Sequence, residues 1–332
     1  MAANKADLAR TYRKDYGMKM PTLKLARIMY KDHNLLFKDV EAARDALRYI
    51  EGKRGEERKT HVGDRSFILE GERPRNPYNL PESDEEAYAP YYLTGHKRVL
   101  VINDIHLPYH NIEAITAAFD FAVKEKPDAI FINGDVLDFH SVSYFEKDPR
   151  KKHFAQELDM FKEFFITLQR TFGAKVYFKF GNHEERYQKF LFMKAKELVG
   201  VDEFELSNII KARAEGIEII QDKRIVLMNQ LPFIHGHEFG RSVFSPVNSA
   251  RGLFLQAKHS CVKGDSHVTS EHTEPNIMGK IMTTWSVGAL CGLTPQWLPL
   301  NKWNHGMAII DLDENGEDFL FRNYRIYKGK VL

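Results

Sequence analysis

Five short segments each follow an apolar run and gather residues of cation-binding type. They are Asn103-Asp104-Ile105-His106, Gly134-Asp135-Val136-Leu137-Asp138, Gly181-Asn182-His183-Glu184, His235-Gly236-His237 and Gly264-Asp265-Ser266-His267. Carboxylate and amide oxygens mixed with imidazole suit Mn²⁺, Fe or Zn²⁺. In an extended chain residues i and i+2 point the same way, so Asp104 and His106 can share one ion. One Asp-x-His alone signifies no more than a hydrogen-bonded polar pair. Five such segments in order signify a metal site, and more ligand positions than one ion needs imply two ions.

These residues need strands to carry them. RVLVIN (98–103), AIFIN (129–133) and KVYFKF (175–180) are short apolar runs ending in polar residues, and helical periodicity covers 112–125 and about 153–171. Strand and helix alternate, which predicts an α/β fold. The segments IEIIQ, RIVLM, LPFIHG, SCVKG, MTTWSVG and GMAIIDLD follow as successive strands with little helix between them. The expected body is a four-layer α/β/β/α sandwich of two packed mixed sheets over residues 97–332, with ligands at the carboxyl ends of strands. The stripe Phe161, Phe164, Phe165 and Leu168 reads as core, and Trp285, Trp297 and Trp303 read as core or rim packing, with a base-binding wall as the alternative.

The ordered blocks DIH, GDVLD, GNHE, HGH and GDSH resemble those of the calcineurin-like metallophosphoesterases. The longer string Asp104 to His110, with a small basic helical head, is most similar to bacteriophage-encoded members. The resemblance implies that Asp104, His106 and His267 bind a first ion, that Asp135 bridges, and that Asn182 and His235 bind a second. It implies His183 as proton donor, oriented by Asp138 or Glu184, during in-line attack by a metal-bridging hydroxide. Two ions about 3.5–4 Å apart clamp a phosphoryl group in such chemistry. Arg186 is a candidate to hold a phosphate oxygen. The closing block departs from the usual Gly-His-x-His, because Asp265 stands where a histidine for the second ion is expected. A carboxylate there favours Mn²⁺ (or Mg²⁺), with Fe, Zn²⁺ or Ni²⁺ as other occupants.

Charge is uneven along the chain. Residues 1–60 hold fifteen Lys/Arg and nine Asp/Glu, leaving 33 basic against 37 acidic residues in the rest. Residues 1–55 are expected to form an all-α domain: either helix-turn-helix-like, with Lys24, Arg27, Arg44 and Arg48 gripping nucleic-acid phosphates, or a small helical bundle with solvated charges. Residues 56–96, with four prolines and a charged run, are expected to be a linker or lid. Two cysteines exclude a disulfide scaffold and predict a reducing, cytoplasmic setting, the host cytoplasm for a phage protein. The first residues lack the apolar core of a secretory leader, and no run is long enough to span a membrane. The expected activity is a phosphodiesterase acting on DNA. A phosphomonoesterase is the first alternative, although Phe139 and His140 replace the arginine that follows this block in protein phosphatases. A DNA-binding regulator with an impaired metal site is the second.

Overall fold

The computed structural model describes residues 5–17, 20–52, 88–144, 153–240 and 247–332. The chain divides into two compact units, residues 1–89 and 90–332.

The first unit contains helices α1 (Lys5–Tyr16), α2 (Thr22–Asp32) and α3 (Val40–Ile50). Asp39 caps α3 by accepting the Ala42 N–H at 2.7 Å. Leu25, Met29, Ala43, Leu47 and Ile50 form the core with Ala9, Tyr12 and Phe37. Arg13 is buried and its guanidinium meets Glu51, the Gly17 and Met20 carbonyls and Thr22. The stretch between α2 and α3, residues 33–39, is longer than the roughly three- or four-residue turn of a helix-turn-helix, and α1 adds a third helix. Among the described residues the unit packs three helices around one core, one helix more than the pair read from the sequence.

The second unit forms two mixed sheets. β1 (Tyr91–Tyr92), β2 (Arg98–Ile102), α4 (Ile112–Glu125), β3 (Ala129–Asn133), α5 (Phe154–Phe172), β4 (Lys175–Lys179), α6 (Glu185–Lys194), α7 (Leu206–Lys211) and β5 (Glu218–Ile220) come first. Then follow β6 (Val226–Met228), β7 (Leu231–Ile234), α8 (Ser249–Ala257), β8 (Cys261–Lys263), β9 (Ser270–Pro275), β10 (Ile281–Ser286), β11 (His305–Leu312), β12 (Phe319–Tyr327) and β13 (Lys330–Val331). One sheet runs β13-β12-β11-β2-β3-β4-β5 and the other β1-β6-β7-β8-β10-β9.

Alternation along each strand makes the layers. Leu100, Ile102, Ile130 and Ile132 pack beneath α4 and α5 against Ala118, Phe161 and Leu168. Val99, Val101, Ala129 and Phe131 point the other way, onto Val226, Phe233, Val262 and Trp285 of the second sheet. On that sheet's outer face Leu253 of α8 meets Ile234 and Cys261. The four layers are those expected. Trp285 lies between the sheets, which removes it from any base-binding wall.

Four strands were not anticipated. β9 (SEHTEP) is mostly exposed and owes its form to a six-residue antiparallel register with β10. β12 pairs over eight residues with β11, and β13 folds back on β12. The tail of the stretch expected to be a linker pairs with β6 as β1; residues 56–87 of that stretch lie outside the described residues. Among the described residues no helix is long and apolar enough to cross a membrane.

Candidate metal centre

The carboxyl ends of β2, β3, β4, β7 and β8 carry the five polar segments. Beyond the strands, the loop after β2 zips onto the loop after β3: Asp104 N donates to the Gly134 carbonyl, Ile105 N and His106 N to that of Asp135, and Leu107 N to that of Val136. Asp104, His106, Asp135, Asp265 and His267 all have positive φ, between 50° and 57°. Non-glycine residues held there cost about 1–3 kcal/mol each, and such strain gathers at functional sites. Two glycines allow the close approach. A Cβ on Gly181 would lie 2.2 Å from Asp135 Oδ1, and one on Gly134 2.2 Å from His235 Nδ1.

The structure brings the seven expected metal ligands together as two adjoining halves. In one half, His267 Nε2 lies 3.3 Å from Asp104 Oδ1 and 3.3 Å from His106 Nε2. In the other, His235 Nε2 lies 3.2 Å from Asp135 Oδ2, 3.2 Å from Asn182 Oδ1 and 3.8 Å from Asp265 Oδ1. Asp135 Oδ2 is also 3.8 Å from His106 Nε2, so this carboxylate stands between the halves.

The donor chemistry calls for cations. His235 Nδ1 donates to the Asn133 carbonyl at 2.6 Å, which turns the Nε2 lone pair toward two acceptor oxygens. Three acceptors at that spacing repel unless a proton or a cation lies among them. Asp104 Oδ1 is buried and has no aligned hydrogen bond among the described residues. Burial alone would raise the Asp104 and Asp135 pKa values, but the facing histidines hold both below the ordinary carboxylate range. Burial opposes charge on His235 and His267 too, yet Asp135 and Asp104 respectively raise them well above the ordinary imidazole value. The carboxylates thus demand positive charge, which divalent ions would supply in exchange for protons. The residues fit two such ions.

His183 adjoins both halves. Its Nδ1 donates to the Asp138 carbonyl at 3.0 Å and lies 3.3 Å from Asp138 Oδ1. Its Nε2 is 3.8 Å from Asp135 Oδ2 and accepts from Arg186 Nη2 at 2.9 Å. Arg186 also donates to the Asp138 carbonyl at 2.6 Å, so it is engaged within the site rather than free at a helix start. Asp138 Oδ1 is shared with His106 Nδ1 at 3.4 Å.

Glu184 does something else. Its carboxylate accepts four backbone N–H bonds, from Asp135 and Gly181 at Oε2 and from Val136 and Leu137 at Oε1. Among the described contacts none joins it to His183, so of the two carboxylates expected to orient His183 only Asp138 faces it. Sequence reasoning also gave no role to Asn103, whose amide binds the Asp104 carboxylate, or to Cys291, whose Sγ lies 3.9 Å from His267 Nδ1. Glu238 was missed as well: it accepts His235 N at 2.8 Å and Gly236 N at 2.7 Å. A carboxylate three residues after each of Gly181 and His235 is the one signal that pointed to both glutamates.

His237 Nε2 contacts Glu185 Oε1 at 2.9 Å rather than a ligand oxygen, and His305 Nε2 meets the Cys291 carbonyl at 2.9 Å. Of the basic residues proposed for nucleic acid, Lys24 and Arg27 lie on α2, and Arg44 and Arg48 on α3. Arg44 donates to Glu41 at 3.1 Å.

Residues 97–320 match the family described as calcineurin-like phosphoesterase. The Gene 54 protein of Mycobacterium phage L5 is 24% identical over 232 residues, which cover 65% of this chain and 89% of that protein. The Gene 54 protein of Mycobacterium phage D29 is 24% identical over 234 residues, covering 66% and 90%. Among solved structures, vacuolar protein sorting 29 from Cryptosporidium parvum is 13% identical, with a TM-score of 0.39 over 71% of this chain and 95% of that one.

Proposed function

Because the chain belongs to the calcineurin-like phosphoesterases, we propose that it is a two-metal phosphodiesterase that cuts nucleic acid, with DNA as substrate. The observation that carries the hydrolytic part is the convergence of His106, His267 and His235 Nε2 on the Asp104 and Asp135 carboxylates. Asp104, His106, Asp135 and His267 would hold one ion, and Asp135, Asn182, His235 and Asp265 the other. Such a pair, when bound, supplies Lewis acidity that clamps a phosphoryl group and activates water near neutral pH. The oxygen-rich second half favours Mn²⁺ or Mg²⁺ over Zn²⁺.

The protein's own groups handle the proton and the phosphate. Asp138 fixes the Nδ1 face of His183, which presents Nε2 toward the leaving oxygen. Arg186 donates to that Nε2 in the resting geometry. A phosphate oxygen is the stronger acceptor for a guanidinium. Redirecting that guanidinium hydrogen bond to the substrate frees Nε2 to take up a proton from solvent and deliver it to the leaving oxygen.

The nucleic-acid part rests on the first unit. Lys24, Arg27 and Lys31 share one face of α2, away from buried Leu25, Ala26, Met29 and Asp32. Phosphate contacts from such a stripe give sequence-independent affinity. The phage relatives support a working place in the cytoplasm of an infected bacterium.

The test is Mn²⁺-dependent cleavage of end-labelled single- and double-stranded DNA, with bis-p-nitrophenyl phosphate as a generic diester. His183→Ala should lower turnover by roughly 10²–10⁴-fold, the range for a general acid, while two ions still bind. Cleavage of the small diester with intact DNA would overturn the nuclease assignment. Unchanged turnover in His183→Ala would overturn the role of His183.

A further inference from the structure

The flank of the metal centre carries an aromatic corner that the hydrolytic chemistry does not use. The Trp303 ring lies against the His267 imidazole, with centroids 4.1 Å apart and planes at 62°. Trp297 stands next to it, 5.8 Å between centroids and 67° between planes. Trp297 is 72% exposed, although a large flat apolar ring gains by burial.

The corner is held in shape before any ligand arrives. Asn301 spends its amide N–H groups on the Leu293 and Leu298 carbonyls, at 2.7 and 2.9 Å, and accepts Trp303 N at 2.9 Å. Asn304 N donates to the His267 carbonyl at 2.8 Å, while its side chain accepts Thr269 N at 2.9 Å. Trp303 is thus tied on both sides, by Asn301 two residues before it inside its own loop and by Asn304 directly after it to the loop of His267. An exposed ring on a braced loop loses little freedom when it binds, which favours a stacking surface.

We propose that Trp297 and Trp303 form a subsite for an unpaired nucleobase, attached through its sugar to the phosphate at the metal centre. The assignment rests on the part of the proposed function in which the metal centre holds a phosphate group. Trp303 borders the ligand His267 directly, and Trp297 lies one ring further out. A base separated from its phosphate by a pentose reaches that outer ring, whereas a ring bonded directly to the phosphate oxygen stops at Trp303. Stacking needs a free base face, so the subsite selects nucleotides, single strands or frayed ends over duplex interior.

Tryptophan fluorescence of the full Mn²⁺-loaded chain tests this, with thymidine 5′-monophosphate, deoxyribose 5-phosphate and phenyl phosphate as probes. The nucleotide should bind about tenfold more tightly than the sugar phosphate, within the range for one base stacked on an aromatic side chain. That ratio should fall close to one in Trp297→Ala and be largely restored in Trp297→Phe. Because Trp297 is exposed, its variants report on binding rather than folding. Equal affinities in the wild type overturn the proposal, as does a ratio that survives Trp297→Ala. Phenyl phosphate binding as tightly as the nucleotide overturns the base assignment. Hydrolysis of bis-p-nitrophenyl phosphate, measured alongside, reports on the metal centre separately. If hydrolysis is present and the ratio is one, the subsite alone fails. If hydrolysis is absent and the ratio is tenfold, the subsite stands and the hydrolytic function fails.

Discussion

Glu184, which is buried, and Glu238, which is half-buried, both clamp backbone N–H groups of the loops that carry the candidate ligands, yet their electrostatic settings are opposite. Glu184 holds the loops after β3 and β4 through four N–H bonds, and among the described residues no lysine or arginine pairs with it. Burial, reinforced by the Asp135 carboxylate, pushes its pKa up to about 7. Glu238 holds the loop after β7 and sits 2.9 Å from Lys179 Nζ, a lysine with 0% exposure. Burial would raise Glu238 too, but the Lys179 charge brings it down to about 2. The β7 loop is therefore neutralised from within the protein. The loop bearing Asp135 would be neutralised by the cations that the proposed centre takes up. Metal removal should accordingly loosen the Glu184 region more than the Glu238 region, which hydrogen exchange of the Val136 and Gly236 amides would show.

Glu184→Gln is the largest expected break. Each carboxylate oxygen accepts two N–H groups, so a glutamine must turn its NH₂ toward two donors. Each buried donor left without an acceptor costs about 1–3 kcal/mol. Urea denaturation should show a loss of several kcal/mol, and both ions should be lost together because the clamp sets Asp135. Wild-type stability with full metal loading would end the clamp assignment. Lys179→Met comes next. It leaves Glu238 charged and unpaired, at a cost of about 3–5 kcal/mol. The loss should shrink as pH falls and Glu238 takes up a proton. Ion loss should be confined to the half containing His235, a partial stoichiometry that distinguishes it from Glu184→Gln.

The wild type should also show the contrast as a function of pH in chelator. Glu184 at about 7 and Glu157, raised by burial to about 8 while accepting Phe139 N, lie above their ordinary value of 4.5. A raised carboxylate contributes stability that is present below 4.5 and is lost as pH rises through its folded value. Glu238 is depressed, so its contribution is present above 4.5 and is lost as pH falls toward 2. Urea midpoints should therefore fall on both sides of the region near 4.5. Glu184→Gln should flatten the alkaline limb and Glu238→Gln the acid limb.

The candidate metal centre was legible as a cluster because its chemistry is local. A polar residue at the end of an apolar strand needs a reason, and five such ends in order share one. The helix over 112–125 was legible for a similar reason, since Asn111 caps it and Ala114, Ala118 and Ala122 repeat along its buried face. β9 was not, because SEHTEP contains no strand pattern of its own and is shaped by its partner β10. Nor was the task of Glu184 readable. A carboxylate beside His183 suits an orienting role or a backbone clamp equally in sequence, and only the turn at Gly181 aims it inward. The three tryptophans look alike in composition, yet one is sheet core and two flank the centre. That separation is a property of tertiary packing.

The smallest expected effect concerns the residue that departs from the family pattern. Asp265 closes the second half of the centre, with Oδ1 3.8 Å from His235 Nε2 and its side chain 38% exposed. Its own N–H donates to Asp104 Oδ2 at 3.0 Å, so the backbone of this position braces the first half whatever the side chain is. Its φ of 57° is one that histidine also tolerates. Asp265→His should therefore fold normally and exchange a hard oxygen for an imidazole at the open edge. Competition between Mn²⁺ and Zn²⁺ should move toward Zn²⁺, with Mn²⁺-supported hydrolysis changing by no more than about tenfold, or roughly 1.4 kcal/mol. Asp265→Ala should weaken one ion and spare the other. If it weakens neither, the second half is completed without Asp265, and the two halves differ in ligand number rather than in hardness.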